Sequence, residues 1–310
     1  MKNKVRVASF GLNERQLRGM TQNQMADVVI SKIDSVKDYH PDLIVFPEAF
    51  LKTGGDINNS EWENITTNLL ERLKNCARML RSYVVAPLYE KVRAYPEFKY
   101  NTTYLIDRTG EIIGKYRKVH TVETETSLNK VLPGNEIPVF DTDFGRIGIQ
   151  TCFDIGWREG WRQLAEAGAK LVIWTAAYDG GNLLNTYAAY HMYYVVSSVR
   201  TDHAQIIDST GRTIAEGSRW NGLAIADIDL ETTLFHIDNQ YMKIDDIRRK
   251  LGEKVTIRSY SEENVFTIES NDDEWPIDRI KREFGLLSYI EYHQRATEVQ
   301  DAWRTQFSDL

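Results

Sequence analysis

The chain has 310 residues, enough to bury a sizeable core in one large α/β domain or in two ordinary ones. Apolar residues make up 42% and charged residues 27%, a composition that excludes disordered and fibrous classes. A net charge of −7 and a pI near 5.5 oppose a nucleic-acid partner, which needs a concentrated basic face. No run of about eighteen apolar residues is present to span a membrane. The N-terminus, Met1-Lys2-Asn3-Lys4 followed by Val5–Phe10, has no cleavage-site pattern behind it and reads as a first strand, which points to a cytoplasmic protein. The two cysteines, Cys76 and Cys152, are too few for a disulfide framework and are not spaced as zinc ligands. The six histidines include no His-x-His or His-Glu-x-x-His pattern, so neither a metal nor any other cofactor is expected.

In chain order, Val5–Phe10 is followed by a helix opening near Thr21. Its Met25, Val29, Ile33 and Val36 form an apolar stripe for packing on a sheet. Strand Leu43–Phe46, helix Trp62–Arg81 and strand Tyr83–Leu88 continue an alternation that predicts layered α/β structure. Thr102–Asp107 and Ile112–Tyr116, joined by a turn at Thr109-Gly110, read as a hairpin. A polar loop after Lys118 ends at Pro133-Gly134. Then come Val139–Asp141, a turn at Phe144-Gly145, strand Ile147–Thr151, a helix from about Trp157 that stops at Gly168, and strand Lys170–Trp174. The pattern next predicts a helix over Leu184–Ser197 and strands over His203–Ile207, Thr213–Glu216 and Leu223–Asp229. A compact domain thus closes near residue 230. The segment 231–310 carries more charge, breaks at Pro276 and ends in a helical pattern with Leu286, Leu287, Ile290, Tyr292 and Trp303. It reads as an appended arm.

Taken singly, the residues with chemical potential have ordinary explanations. Cys152, at the end of a strand, is by default a small buried hydrophobe. Glu48 could mark the exit from a buried strand, and Lys118 a solvated charge at a strand end. All three, however, lie just beyond the C-terminal ends of predicted strands, where open α/β sheets gather their active sites.

Phe46-Pro47-Glu48, Gly114-Lys115-Tyr116-Arg117-Lys118-Val119-His120 and Gly148-Ile149-Gln150-Thr151-Cys152-Phe153-Asp154 resemble, in order and spacing, the three signature segments of the nitrilase superfamily. The resemblance extends to Asn101-Thr102, Pro133-Gly134, Phe140-Asp141-Thr142 and Asp208-Ser209-Thr210-Gly211, and covers roughly residues 4 to 230. It implies a four-layer α-β-β-α sandwich with a C-terminal extension, and a triad of Glu48, Lys118 and Cys152 that hydrolyses a small amide.

The chemistry needs these residue types. A thiol with a free pKa near ~8.5 is mostly protonated at neutral pH, so Cys152 requires a base, and Glu48 can take its proton and return it to the leaving amine. Glu48 alone would oppose a thiolate, so a cation is needed; Lys118 supplies it and faces the developing oxyanion. The backbone N–H of Phe153 can complete the oxyanion site.

The resemblance also implies a second glutamate between the lysine and cysteine segments, with Glu123 and Glu125 as candidates and Glu125 favoured. Glu159 matches an acidic position whose ordinary role is to bond backbone near the nucleophile. Trp174, Thr175 and Tyr178 correspond to a segment that lines the substrate pocket in relatives, although aromatics there can equally be packing residues. The pair Phe153-Asp154 after the cysteine, where true nitrilases carry Trp-Glu, favours amide or ureido hydrolysis over nitrile.

The alternative within the class is an N-carbamoyl amino acid or β-ureido acid hydrolase. It would need a cation such as Arg200 or Arg158 for a substrate carboxylate. A non-catalytic binding protein of the same fold and a Cys–His hydrolase using His120 are the other readings. The helix with Trp157, Trp161, Leu164, Ala165 and Gly168 on one stripe, together with the helix Leu184–Ser197, is expected to form a homodimer face, with the extension packing on the domain and on the partner subunit.

Overall fold

The computed structural model describes residues 4–54 and 61–308, so Met1-Lys2-Asn3 lies outside the described residues. The chain divides into two compact units, one running from Lys4 to Leu230 and the other from Glu231 onward.

The first unit opens with β1 (Lys4–Phe10), α1 (Gln22–Ser35), β2 (Leu43–Val45), α2 (Trp62–Leu80) and β3 (Tyr83–Lys91). It continues with β4 (Lys99–Ile106), β5 (Ile112–Arg117), α3 (Glu123–Ser127), β6 (Val131–Leu132), β7 (Val139–Thr142) and β8 (Gly145–Thr151). The remaining elements are α4 (Arg158–Glu166), β9 (Leu171–Ala176), α5 (Asn182–His191), β10 (Tyr194–Val199), β11 (Gln205–Ile207), β12 (Thr213–Glu216) and β13 (Leu223–Asp229).

Two sheets result. The first has the order β13-β1-β2-β3-β4-β5 with β6 beside β4, and the second β12-β11-β10-β9-β8-β7. Parallel pairing at their centres (β1–β2–β3 and β8–β9–β10) requires strands buried on both faces, and the apolar residues obey it. Val5, Val7, Leu43, Val45, Tyr83 and Val85 point into a core shared with Ile147, Ile149, Leu171, Ile173 and Val196 of the second sheet. Their alternates Ala8, Phe10, Ile44, Phe46, Val84 and Ala86 pack under Met25, Val29, Ile33, Leu69 and Leu73 of α1 and α2. On the far side, Val172, Trp174 and Val195 meet Trp161, Leu164, Leu184 and Ala188 of α4 and α5. The order of layers is therefore helix, sheet, sheet, helix, as expected.

Local signals explain most boundaries. Thr21 caps α1 reciprocally: its hydroxyl accepts from the Gln24 N–H at 3.2 Å, and Gln24 Oε1 accepts from the Thr21 N–H at 2.8 Å. Gly168, at φ +83°, ends the α4 turn. The predicted helix over Leu184–Ser197 is corrected: α5 stops at His191, Met192 takes a left-handed φ of 57°, and Tyr194–Val199 forms the strand β10. That strand is buried on both faces, so it lacks the alternation that would have separated it from a helix. The polar loop after Lys118 holds the short helix α3 and strand β6.

The second unit is more than a charged arm. It holds β14 (Thr233–His236), α6 (Ile244–Leu251), β15 (Val255–Tyr260), β16 (Val265–Ser270), α7 (Ile277–Phe284) and α8 (Tyr289–Gln306). The strands form an antiparallel sheet in the order β14-β16-β15 over a core of Phe235, Ile247, Leu251, Phe266, Ile268 and Ile280. Pro276, read as a break, is the extended N-cap of α7. Among the described residues no helix is long and apolar enough to cross a membrane.

One glycine bears directly on the site. The Gly134 N–H donates to the Lys118 carbonyl at 2.8 Å, and a Cβ at Gly134 would stand 2.2 Å from the Arg117 carbonyl oxygen. Gly134→Ala must displace the Arg117-Lys118 segment. The expected cost is about 1–3 kcal/mol of stability, the usual range for overpacking. Urea denaturation checks it, and a variant as stable as the parent contradicts the close approach.

Candidate active site

Glu48 and Lys118 leave the first sheet just past β2 and β5, and Cys152 leaves the second just past β8. β2 and β5 run in the same direction, β5 through the antiparallel β3–β4–β5 pairing, so both exits lie at one edge of the first sheet, and the two sheets are bonded together near that edge. The Ser9 hydroxyl donates to the Ser197 carbonyl at 2.7 Å, and the Ser198 hydroxyl to the Phe10 carbonyl at 2.6 Å. The Thr103 and Thr151 hydroxyls meet at 3.5 Å.

The three residues converge. Lys118 Nζ donates to Glu48 Oε1 at 2.8 Å and to Glu125 Oε2 at 2.8 Å, with the lysine 1%, Glu48 3% and Glu125 7% exposed. The Cys152 thiol lies close enough to the Glu48 carboxylate for each to act on the other's pKa. Asn101 Nδ2 donates to Glu48 Oε1 at 2.8 Å, and the Asn101 carbonyl accepts from the Lys118 N–H at 2.9 Å. The second glutamate at the centre is Glu125; Glu123 is exposed on the same helical turn. Glu125 is held there because its Oε2 also accepts from the Val122 N–H at 3.0 Å, closing the first turn of α3.

Electrostatics follow from burial and these pairings. Burial pushes the Glu48 carboxyl up, but the Lys118 charge and hydrogen bond, helped by Arg200 and Cys152, outweigh it and leave Glu48 below the ordinary carboxylate value. The Cys152 thiol is pushed up to about 12, by burial first and by the Glu48 charge second. Lys118 and a backbone N–H of Ala177 oppose the rise without cancelling it. Lys118 itself is held above its ordinary value: burial works against its charge, and Glu48, Cys152 and Glu125 overcome it. The resting pair is thus a carboxylate and a thiol beside an ammonium.

Cys152 sits at φ 51°, a left-handed conformation costing about 1–3 kcal/mol in a residue with a Cβ, and Ala49, next to Glu48, sits at φ 42°. The strained turn turns the sulfur off the end of β8. It is secured from below, where Trp174 Nε1 donates to the Cys152 carbonyl at 3.2 Å and the Thr175 hydroxyl meets that of Thr151 at 3.4 Å. Trp174 and Thr175, expected in the pocket lining, have no exposed surface and pack beneath the Cys152 turn from within the core. Tyr178 is 44% exposed and packs edge-on to Trp174 at 5.4 Å, near enough for Cys152 and Glu48 to raise its pKa, after burial as the first cause. Phe153 is 40% exposed and its backbone lies in the first turn of a 3₁₀ segment over Cys152–Gly156, where N–H groups have no helical acceptor.

Other expected residues lie elsewhere. Glu159 is exposed and pairs with Arg162; the backbone beside the nucleophile is bonded instead by Asp154, which accepts from the Thr151 N–H at 2.9 Å. His120 is engaged by Asp154 and stacks on Trp157 with ring centroids 4.0 Å apart, and the charge that acts most on the thiol is that of Glu48. Arg158 is exposed. Arg200, whose side chain is 11% exposed, pairs with Glu14 at 2.8 Å and leaves a buried Nε without a hydrogen-bond partner. Sequence reasoning missed the roles of Asn101, Asp154 and Tyr89. Tyr89 is buried, and its hydroxyl is raised by burial and then by the charges of Glu125 and Glu48. Asn101 and Asp154 stood inside matching segments, and only their partners were missing. Among the described residues no group of three His, Cys, Asp or Glu could hold a metal ion.

The chain is similar to several known proteins. The chain is 25% identical over 233 residues to the deaminated glutathione amidase of Dictyostelium discoideum, covering 64% of this chain and 80% of that protein. It is 28% identical over 229 residues to the 2-oxoglutaramate amidase of Bacillus subtilis, covering 68% and 87%. Its fold matches the crystal structure of an amidase from Nesterenkonia sp. with a TM-score of 0.63 at 20% identity, over 74% of this chain and 92% of the other. Residues 6–234 match the carbon-nitrogen hydrolase family itself. The chain therefore belongs to the carbon-nitrogen hydrolases of the nitrilase superfamily.

Proposed function

We propose that this protein hydrolyses a small linear amide through a thioester on Cys152, with Glu48 as general acid–base, Lys118 as the oxyanion-stabilising cation and Glu125 as a second carboxylate. The observation that carries the reading is the buried Lys118 ammonium, 2.8 Å from each of two carboxylates, with the Cys152 thiol near enough to one of them, Glu48, for each to shift the other's pKa.

The Glu48 carboxylate takes the thiol proton as sulfur attacks the amide carbon. Because the thiol is held up to about 12, proton transfer accompanies attack instead of preceding it. The carbonyl electrons move to oxygen, which Lys118 Nζ and the Phe153 N–H stabilise. Collapse breaks the C–N bond, and the departing nitrogen takes the proton from Glu48. Water then gives a proton to Glu48 as it attacks the thioester, and the leaving sulfur recovers that proton. Glu125 holds Lys118 in line and orients the substrate amide or the water.

Ammonia release from a panel of amides, carbamoyl amino acids and nitriles tests the reaction. Lys118→Ala is expected to lose at least about 2.7–4 kcal/mol of transition-state stabilisation, the loss for one oxyanion donor. Glu125→Gln should cut kcat severely while Cys152 still reacts with iodoacetamide, and exposed Glu123→Gln should be mild. Mass spectrometry separates the steps: an acyl adduct accumulating on Cys152 places the Glu125 defect at water attack. Near-normal kcat in folded Lys118→Ala or Glu125→Gln sinks the assignment.

The pH profile is a second test. Glu48 lies below its ordinary value, so the base is lost only as pH falls through that lowered pKa; Cys152 stays a thiol until about 12. For a neutral amide, kcat/KM should be flat from about pH 6 to 9. An alkaline inflection at the free-thiol value of about 8.5 would count against the pair.

A second reading has its own support. The unpartnered, buried Nε of Arg200 and the effect of its charge on Glu48 suit a substrate that carries a carboxylate, such as an N-carbamoyl amino acid or β-ureido acid. Arg200→Met should then raise KM about tenfold or more for a carboxylate-bearing substrate relative to a neutral amide. An equal change for both substrates removes this reading.

A further inference from the structure

Asp154 lies two residues after the nucleophile, has no exposed surface and takes no part in the chemical steps above. Its Oδ1 accepts from the His120 backbone N–H at 2.8 Å and lies 2.9 Å from His120 Nδ1, which is the donor toward a carboxylate oxygen. Its Oδ2 accepts from the Tyr116 hydroxyl at 2.6 Å and from the Thr151 N–H at 2.9 Å. Tyr116 and His120 stand two residues before and two residues after Lys118, and Thr151 immediately precedes Cys152. Tyr116 belongs to β5 of the first sheet and Thr151 to β8 of the second. One carboxylate thus ties both flanks of the lysine in one sheet to the nucleophile turn of the other.

We propose that Asp154 is a positioning residue that fixes where the Lys118 ammonium stands relative to the Cys152 sulfur, and so governs kcat without touching substrate. The proposal rests on the reading that Cys152 and Lys118 act on one amide. A carboxylate is required because all four partners are donors. Asparagine offers one accepting oxygen, so in either orientation of its amide a backbone N–H, of His120 or of Thr151, faces an NH₂ group. The tie also reaches the rim: the Asp154 carbonyl accepts from the Trp157 N–H at 3.0 Å, and Trp157 carries the His120 ring on its face. A purely structural role would lower stability and leave the folded fraction fully active, whereas loss of position lowers kcat in every folded molecule.

The test compares Asp154→Asn and Tyr116→Phe with the parent, each normalised to the Cys152 thiol titrated by iodoacetamide. Asp154→Asn should lose on the order of 100-fold in kcat, the scale of a misplaced reacting group, with KM within about twofold. Tyr116→Phe keeps the charge and removes one donor, so about tenfold is expected. If Asp154→Asn does not fold, Tyr116→Phe decides alone. Unchanged kcat per thiol, or a change confined to KM, overturns the proposal whatever happens to stability. A parent enzyme that turns over no amide on the panel counts against the amidase reading instead. The rate of Cys152 alkylation, which needs no amide, then carries the test: it should fall severalfold in Tyr116→Phe, and an unchanged rate overturns the positioning role.

Discussion

Lys118 places its ammonium between Glu48 and Glu125 with all three side chains almost wholly shielded from water. Bringing ions out of water costs several kcal/mol each after relaxation, and their attraction offsets this only when geometry is good and the remaining lone pairs are satisfied. Here each oxygen that meets the lysine also takes a second donor: Asn101 donates to Glu48 Oε1 and the Val122 N–H to Glu125 Oε2. The group is stable only as a set, and the set is what keeps a carboxylate ionised next to a thiol inside a core. Without the ammonium, burial would push Glu48 toward its neutral form and leave Cys152 facing a weaker base.

This constraint shapes the surrounding sandwich. The charged set needs donors and acceptors from separate segments, and here the exits of β2 and β5, the strand β4 and the helix α3 deliver them to one edge. Glu48 and Lys118 come from one sheet and Cys152 from the other, so the relative position of the sheets sets the geometry of the proposed site. Hydroxyls of Ser9, Ser198, Thr103 and Thr151 bond across the sheets where aliphatic side chains would slide more freely. The left-handed turns at Ala49 and Cys152 are the local cost of aiming both side chains away from their strands.

The Trp174 indole shows how packing and chemistry share residues. It is fully buried among the α4 and α5 contacts, yet its N–H bonds the carbonyl of the nucleophile. Aromatic bulk holds the turn in place, and the polar edge donates to the carbonyl of Cys152 at its start. Asp154 does the equivalent with charge: it satisfies donors of a strand end and a loop that would otherwise be buried without partners.

Local chemistry in the chain was sufficient for much of this. Period-two and period-3.6 apolar patterns named β1, β13 and α1 because each presents a face to a core, and three ordered segments named Glu48, Lys118 and Cys152. Where a strand is covered on both faces, as β10 is, the pattern loses its period and reads as a helix. The second unit was legible as charge and a broken helical pattern, while its antiparallel sheet depends on pairing β14 with β16 across an intervening helix and strand. Composition could not separate Glu123 from Glu125, since two glutamates on one short turn differ only in which way the helix faces. Nor could it show that Trp174 and Thr175 lie inside while Tyr178 stays exposed, or that Asp154 takes the place offered to Glu159. The identities of the proposed reacting groups are properties of short segments, and the chain carries those segments in readable form. Many of their partners lie far along the chain, as Glu48 does from Lys118 and Tyr116 from Asp154, so the packing of the two sheets decides which of these groups meet.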